Sequence, residues 1–350
     1  WFSQKDIPAI EHYAGSGREY ESFDDEFDRL SVPGMAPEAN YRFVSELREQ
    51  LATPPQAPVN LAAYLDATTG MGESARSMYR TLAAGDELLA AVSLPNPTAR
   101  GELPSDPGQV FGIPSNRARM SVTVVNADSV ENARTFLPYT YWADHNVGYW
   151  VWETERLPSQ FRVSQEPFDE IWTPSRYSAN AIAATVDRPV HVMNHALDFA
   201  ALDEARANRA AFGLPEDKTL FGFMFDPKSI LERKNVFGLV EAFQSAFRKD
   251  DECVLVLKVN DVVQGLYEFE RLRARCDRDR VIFVESTFDR PTTNNFLASL
   301  DAYVSLHRSE GFGLTCAEAM AIGRPVIASN YSGNLEFMTE QNSRLVKTDR

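Results

Sequence analysis

Two carboxylates on either side of a glycine-containing turn are the residues best placed to do chemistry. The run from Ser305 to Ser329 reads as a strand, a turn, a helix and a second buried strand, with Glu310 before the turn and Glu318 inside the helix. Seven residues separate them. The amides of Gly311, Phe312, Gly313, Leu314 and Thr315 open the helix. A helix start attracts anions, because its free N–H groups and its dipole point the same way. A carboxylate accepts two hydrogen bonds from a vicinal diol. The combination suits a ligand that is part phosphate and part polyol, such as a nucleotide sugar, with Glu310 on the sugar hydroxyls and Glu318 on the ribose. Thr315-Cys316-Ala317-Glu318 also fits a capping box, in which Glu318 merely satisfies the helix start.

A cationic pair comes next. Arg233 and Lys234 lie in the segment Asp226 to Asn235, between a strand and a helix, just before the helix start. The planar guanidinium clamps phosphate oxygens and the ammonium adds a compact charge. The pair suits a diphosphate leaving group, whose negative charge grows as the sugar bond breaks. A solvated Glu-Arg-Lys cluster is the competing reading. Gly70-Met71-Gly72-Glu73 follows the first strand of a β/α series, and its small residues let a ligand approach the backbone; a plain tight turn explains the glycines equally well. The run Asp144 to Glu153 is aromatic-rich at a strand end. There Trp152 can face a sugar ring and Glu153 can bind hydroxyls of an acceptor, against the alternative that Tyr149, Trp150 and Trp152 are core. Lys258 ends a strand and either reaches a cleft or snorkels at the surface. His145 is a polar contact or a structural residue. No Ser-His-Asp arrangement, Walker loop or metal-ligand spacing is visible, and no metal is expected.

The elements that position these residues follow from the apolar pattern. At 350 residues the chain suits two ordinary domains. Residues 1–57 are acidic, end in a proline-rich stretch, and read as an appendage or linker with a helix near 38–51. Residues 58–197 alternate apolar strands with amphipathic helices, residues 198–217 form a polar, helical connection, and residues 218–350 repeat the alternation. Such alternation implies mostly parallel sheets with helices on both faces, and ligand sites at the carboxyl ends of the strands. Ser175, after Pro174, reads as a helix N-cap. The formal charge of −15 argues against nucleic acid as a partner and against docking on an anionic membrane by charge alone. No apolar run approaches membrane-spanning length. The opening Trp1-Phe2-Ser3 shows no signal peptide and reads as the start of a fragment. Cys253, Cys276 and Cys316 are expected to be buried thiols in a reducing compartment.

With these motifs in place, the chain resembles the retaining glycosyltransferases of family four. The matching pieces are Gly70 to Arg76, Gly148 to Glu153, Phe168 to Ser175, Asp226 to Asn235 and Ser309 to Met338. The resemblance implies a GT-B fold of two facing Rossmann-like domains. It implies sugar transfer from a nucleotide diphosphate sugar to a sugar or glycolipid hydroxyl, with retention and without a cofactor. It assigns Glu310, Arg233 and Lys234 to catalysis, and Glu318, the Gly311–Thr315 turn and Asn334 to the donor. Gly70, Gly72, Glu73, Trp152 and Glu153 fall on the acceptor side. It also implies a cytoplasmic protein working in bacterial polysaccharide or glycolipid assembly, with peripheral attachment to the membrane's inner face left open. The family presents a His from the first domain to the donor sugar, which His145 does not match securely. It also ends in a helix that returns to the first domain, so a chain stopping at Arg350 is expected to be truncated there. Another nucleotide-sugar enzyme, an epimerase or a phosphorylase, and a non-catalytic sugar-nucleotide module remain alternative readings.

Overall fold

The computed structural model describes residues 59–67, 69–85, 87–95, 118–227, 230–249, 251–260 and 267–348. The acidic leader and the helix expected near 38–51 lie outside the described residues. Two six-stranded sheets, parallel throughout, organise the described residues. The first contains β1 (Val59–Ala63), β2 (Leu88–Ser93), β3 (Met120–Val124), β4 (His145–Tyr149), β5 (Glu170–Thr173) and β6 (Val190–Val192), in the order β2-β1-β3-β4-β5-β6. The second contains β7 (Thr219–Phe225), β8 (Cys253–Val259), β9 (Val281–Glu285), β10 (Ala302–Ser305), β11 (Val326–Ser329) and β12 (Arg344–Val346), in the order β12-β11-β10-β7-β8-β9. The crossovers carry helices α1 (Gly70–Ala84), α2 (Val130–Phe136), α3 (Arg176–Ala183), α4 (Phe199–Asp203), α5 (Leu231–Lys234), α6 (Val236–Ala246), α7 (Tyr267–Arg275), α8 (Arg290–Ser299) and α9 (Leu314–Ala321).

Parallel strands covered on both faces need apolar residues on both faces, and the sequence supplies them. All five residues of β1 are buried. Leu61, Val122, Val147 and Tyr149 pack on one face of the first sheet, while Ala62, Trp150, Phe168 and Ile171 pack on the other. Leu220, Phe223, Val256, Leu257, Phe296 and Tyr303 fill the core of the second domain. Each fully buried Leu or Phe contributes about 1.5–3 kcal/mol relative to exposure.

The strand order decides where a ligand can sit. In the first sheet the chain reverses between β1 and β3, and in the second between β7 and β10. A crevice forms at such switch points, beyond the carboxyl ends of the strands. Gly70 follows β1, Arg233 and Lys234 follow β7, and Glu310 follows β10.

Some local expectations shift. The segment 198–217 is helical only in α4 and a short 3-10 turn over Ala210–Phe212, because Gly213 takes a left-handed φ of 65° and Pro215 follows. β4 stops at Tyr149, and the aromatic residues after it build a loop. α8 starts at Arg290, where Asp289 caps it and a proline occupies its first turn. Cys316 is buried as expected, whereas Cys253 and Cys276 are only half-buried.

Candidate active site

α5 is a single turn closed by Asn235, whose φ of 52° lies in the left-handed region that Asn tolerates. Asn235 Nδ2 donates to Leu306 O at 2.8 Å, tying this turn to the exit of β10. Arg233 and Lys234 therefore form the last turn of α5, and α6 begins only after the break. The turn aims both cations at Glu310. Lys234 Nζ lies 2.6 Å from Glu310 Oε1, and Arg233 Nη1 lies 3.3 Å from Oε2. Arg233 Nη1 also donates to Ser309 O at 3.1 Å. Its Nη2 reaches across the cleft to Glu153 Oε2 of the first domain at 2.9 Å. Burial pushes the Glu310 carboxyl up, but Lys234, Arg233 and His307 overcome it and hold the group well below the usual carboxylate range. Glu153 is raised, first by enclosure in the cleft, with Arg233 opposing and Glu310 adding. Its side chain is still 40% exposed, so solvent blunts that shift.

The loop after Glu310 is pinned between the domains. A Cβ on Gly311 would stand 2.6 Å from Val151 Cγ1 and 3.3 Å from Trp152 O, so only glycine fits this approach. Gly311 O accepts from Ser175 Oγ at 2.5 Å and Ser178 Oγ at 3.3 Å, both on the first domain. Ser175 caps α3 as well, accepting from Ser178 N at 3.1 Å. Gly313 has φ 86°, a conformation that other residues resist, and it turns the chain into α9. Phe312 packs its ring 4.9 Å from His195 and 5.0 Å from Phe337. Thr315 Oγ1 accepts from Tyr303 OH at 2.8 Å. Leu314 and Thr315 open α9, so their amides are among those a helix leaves without an internal acceptor.

Glu318 has a partner that a capping box does not predict. Its Oε1 lies 2.5 Å from Arg290 Nη2, at the start of α8, while Oε2 is buried without a hydrogen-bond partner. Burial, opposed by Arg290 and aided by Glu73, pushes this carboxyl up to about 7. Glu73 sits on α1, paired with Arg76 at 3.0 Å and Arg80 at 2.8 Å, and 4.0 Å from Arg290. Glu73, Ser74, His195, Arg290, Leu314 and Glu318 line one small pocket between the domains. His195 Nδ1 meets Tyr149 OH at 2.9 Å and its Nε2 meets Ser74 Oγ at 3.2 Å. Burial lowers its pKa, so the imidazole is neutral at pH 7. Gly70 is exposed at the first residue of α1, with open space around it. Gly72 is buried against Ala67 O, which a Cβ would overlap.

Other candidates have different surroundings. Asn334 is fully buried, with Oδ1 3.1 Å from His307 Nε2 and Nδ2 donating to Ser329 O at 2.9 Å, so its side chain is occupied inside the second domain. The Trp152 indole packs against Phe161 at 5.8 Å and donates to Arg156 O at 2.9 Å; its carbonyl faces Gly311. Tyr149 and Trp150 belong to the core. His145 opens β4, so it stands at the amino edge of the sheet, near Glu170 at 3.4 Å. Lys258 is buried, donating to Asn260 Oδ1 at 2.6 Å over the Phe288 ring. Sequence reasoning missed Arg290, His195 and Ser178. The first two follow strand carboxyl ends, β9 and β6, and that rule alone would have nominated them.

Residues 204–349 match the family model described as glycosyl transferases group 1. The matched stretch is the second domain together with the connection that follows α4 ahead of it. The O-antigen biosynthesis glycosyltransferase WclY of Escherichia coli is 29% identical over 122 residues, 35% of this chain and 31% of that one. The lipopolysaccharide core biosynthesis mannosyltransferase LpsB of Rhizobium meliloti is 36% identical over 74 residues, 20% of each chain. The match thus spans about a third or less of these relatives. Among solved structures, sucrose-phosphate synthase from Thermosynechococcus elongatus aligns with a TM-score of 0.61 at 16% identity, over 83% of this chain and 86% of that one. Anabaena HepE in complex with UDP and glucose aligns at 0.58 and 14% identity, over 83% and 86%. The fold is therefore GT-B, two Rossmann-like domains facing across a cleft. No helix among the described residues is long and apolar enough to cross a membrane.

Proposed function

We propose that the chain transfers a sugar, with retention, from a nucleotide diphosphate sugar to an acceptor hydroxyl in the assembly of a bacterial surface polysaccharide or glycolipid. The observation that carries this reading is the array Lys234–Glu310–Arg233–Glu153, two cations and two carboxylates alternating across the cleft at 2.6, 3.3 and 2.9 Å. A diphosphate brought beside Arg233 and Lys234 competes with the carboxylates for them. Glu310, already ionised, is then released to accept hydrogen bonds from the donor sugar. The amides opening α9 add to the positive field on the phosphates. As the bond from the anomeric carbon to the phosphate oxygen breaks, the cations and amides stabilise the growing charge. The acceptor oxygen attacks from the same face and its proton passes to the departing phosphate. These groups supply the charge stabilisation that a divalent metal supplies in other transferases. The free oxygen of Glu318 is the ribose acceptor in this scheme. The sequence likeness to WclY and LpsB and the UDP bound by HepE support the choice of donor and pathway.

The test has two stages. A panel of nucleoside diphosphates is screened by thermal shift, since a ligand that prefers the native state raises its melting temperature. The corresponding sugar nucleotides, UDP-glucose and GDP-mannose among them, are then assayed for turnover. Arg233→Ala with Lys234→Ala should lower turnover by orders of magnitude. Full activity in that double variant ends the proposal.

A further inference from the structure

A second, open cleft lies beside the ion-pair array. Thr154, Glu155, Arg156 and Tyr177 line it from the first domain, and Arg308, Ser309 and Tyr331 from the second. It begins one residue after Glu153 on one wall and one residue before Glu310 on the other. Tyr331 OH donates to Glu155 Oε1 at 2.5 Å, and its ring meets Tyr177 edge-on at 5.4 Å, so the walls are joined across the domains. Arg308 is tied to the array by its backbone, with N donating to Arg233 O at 2.8 Å. Arg156 and Arg308 are exposed, and neither forms an ion pair among the described residues. Two exposed guanidinium groups lining one cleft, each a planar fork of donors, suit a carboxylate or a phosphate. Glu155 faces the same space and opposes an anion, but it is held by Tyr331 and outnumbered.

We infer that this cleft receives an acceptor bearing an anionic group, with Arg156 and Arg308 on the charge and Tyr177 and Tyr331 beside the sugar ring. The inference rests on the glycosyl-transfer reading above. It adds no chemistry to it. The acceptor oxygen bonds the anomeric carbon, the bond from that carbon to the phosphate oxygen breaks, and the acceptor proton leaves on the diphosphate. The anion serves to place the hydroxyl.

Binding of three probes, methyl glucoside, methyl glucuronide and glucose 6-phosphate, is measured by calorimetry at low salt, with and without the nucleoside diphosphate that stabilises the protein. The charged probes should bind about tenfold or more tightly than the neutral one. Arg156→Gln with Arg308→Gln should abolish that ratio while leaving the nucleoside diphosphate melting shift unchanged. The glucuronide and phosphate arms separate a carboxylate ligand from a phosphate one. Equal binding of charged and neutral probes, no binding of either charged probe, or a preference that survives in the double variant would each overturn the inference. A melting shift without charge preference sinks it alone and leaves the donor reading standing. A charge preference without any nucleoside diphosphate shift also overturns it, because the cleft would then serve no transferase site.

Discussion

Lys234→Met separates the electrostatic and catalytic roles of the array. The change removes an ammonium 2.6 Å from Glu310 and keeps most of the stem's volume. The Glu310 carboxyl lies at about 2 against an ordinary 4.5, a preference for the ionised form of about 3 kcal/mol. Lys234, Arg233 and His307 share it, with Lys234 the largest attractive contributor. Losing Lys234 should therefore destabilise the protein by about 1–2 kcal/mol at pH 7, less than the about 3–5 kcal/mol of a wholly orphaned buried charge, because Arg233 stays at 3.3 Å. The effect is confined in pH. A carboxyl whose folded value is depressed stabilises the native state above its unfolded value, and that stability drains as pH falls from 4.5 toward about 2. The variant should show a shallower acid limb in urea denaturation. Turnover should fall by about 10²–10³, the effect of removing one donor aimed at developing charge. Adding Glu310→Gln removes the orphaned charge, so the double variant should recover stability and stay inactive. Urea midpoints at pH 7 and pH 4, with single-turnover rates on the same samples, decide it. Recovery of turnover along with stability in the double variant would refute the reasoning, since Lys234 would then be only a counter-ion.

Other changes test the remaining joints. Arg290→Met takes the guanidinium from Glu318 Oε1 and leaves the raised carboxyl near Glu73, so Glu318 should be protonated at pH 7; the donor KM should rise, and raising the pH should restore it, which a pH profile of KM against kcat will read. Gly311→Ala forces a Cβ onto Val151 and Trp152 O, at about 1–3 kcal/mol, and should lower kcat while the nucleoside diphosphate melting shift persists. Ser175→Ala removes both the α3 cap and the 2.5 Å bond to Gly311 O; a stability loss of about 1 kcal/mol from the cap is expected in denaturant titration, with turnover reduced as well.

What the sequence made legible is local. Parallel strands read as apolar runs, and in a doubly wound sheet every functional loop lies at a strand's carboxyl end. That rule puts Glu310, Arg233 and Lys234 on one crevice. The same rule read backwards explains His145, which begins β4 and so faces the other edge. Ser175 was legible as a cap, because a cap involves residues three apart. Its second bond, to Gly311, spans 136 residues and leaves no local trace. The pairing of Glu318 with Arg290 was hidden in the same way, and a capping box was the nearest local pattern. Glu73 has Arg76 and Arg80 on its own helix, so its chemistry is answered before a ligand arrives. The break after Lys234 depends on a single left-handed Asn235, a conformation that spacing alone does not announce.

The two carboxylates of the motif share a loop and a helix, yet their surroundings drive them apart. Glu310 faces two cations and stays ionised through any physiological pH, which suits the sugar-holding role proposed for it. Glu318 is buried against one arginine, with a second carboxylate nearby, and titrates near 7. Titratable neighbours pushed to opposite states mark separate duties. A diol hydrogen-bonds best to the ionised form, so donor grip at the ribose end should strengthen as pH rises through 7 while the sugar end stays constant. The fold arranges this by geometry alone. The β7 and β10 exits converge on Glu310, whereas Glu318, two turns deeper along the chain, meets the start of α8 through Arg290 and has Glu73 of α1 nearby. A donor bridging both ends would therefore feel fixed electrostatics at its reacting carbon and adjustable binding at its nucleoside.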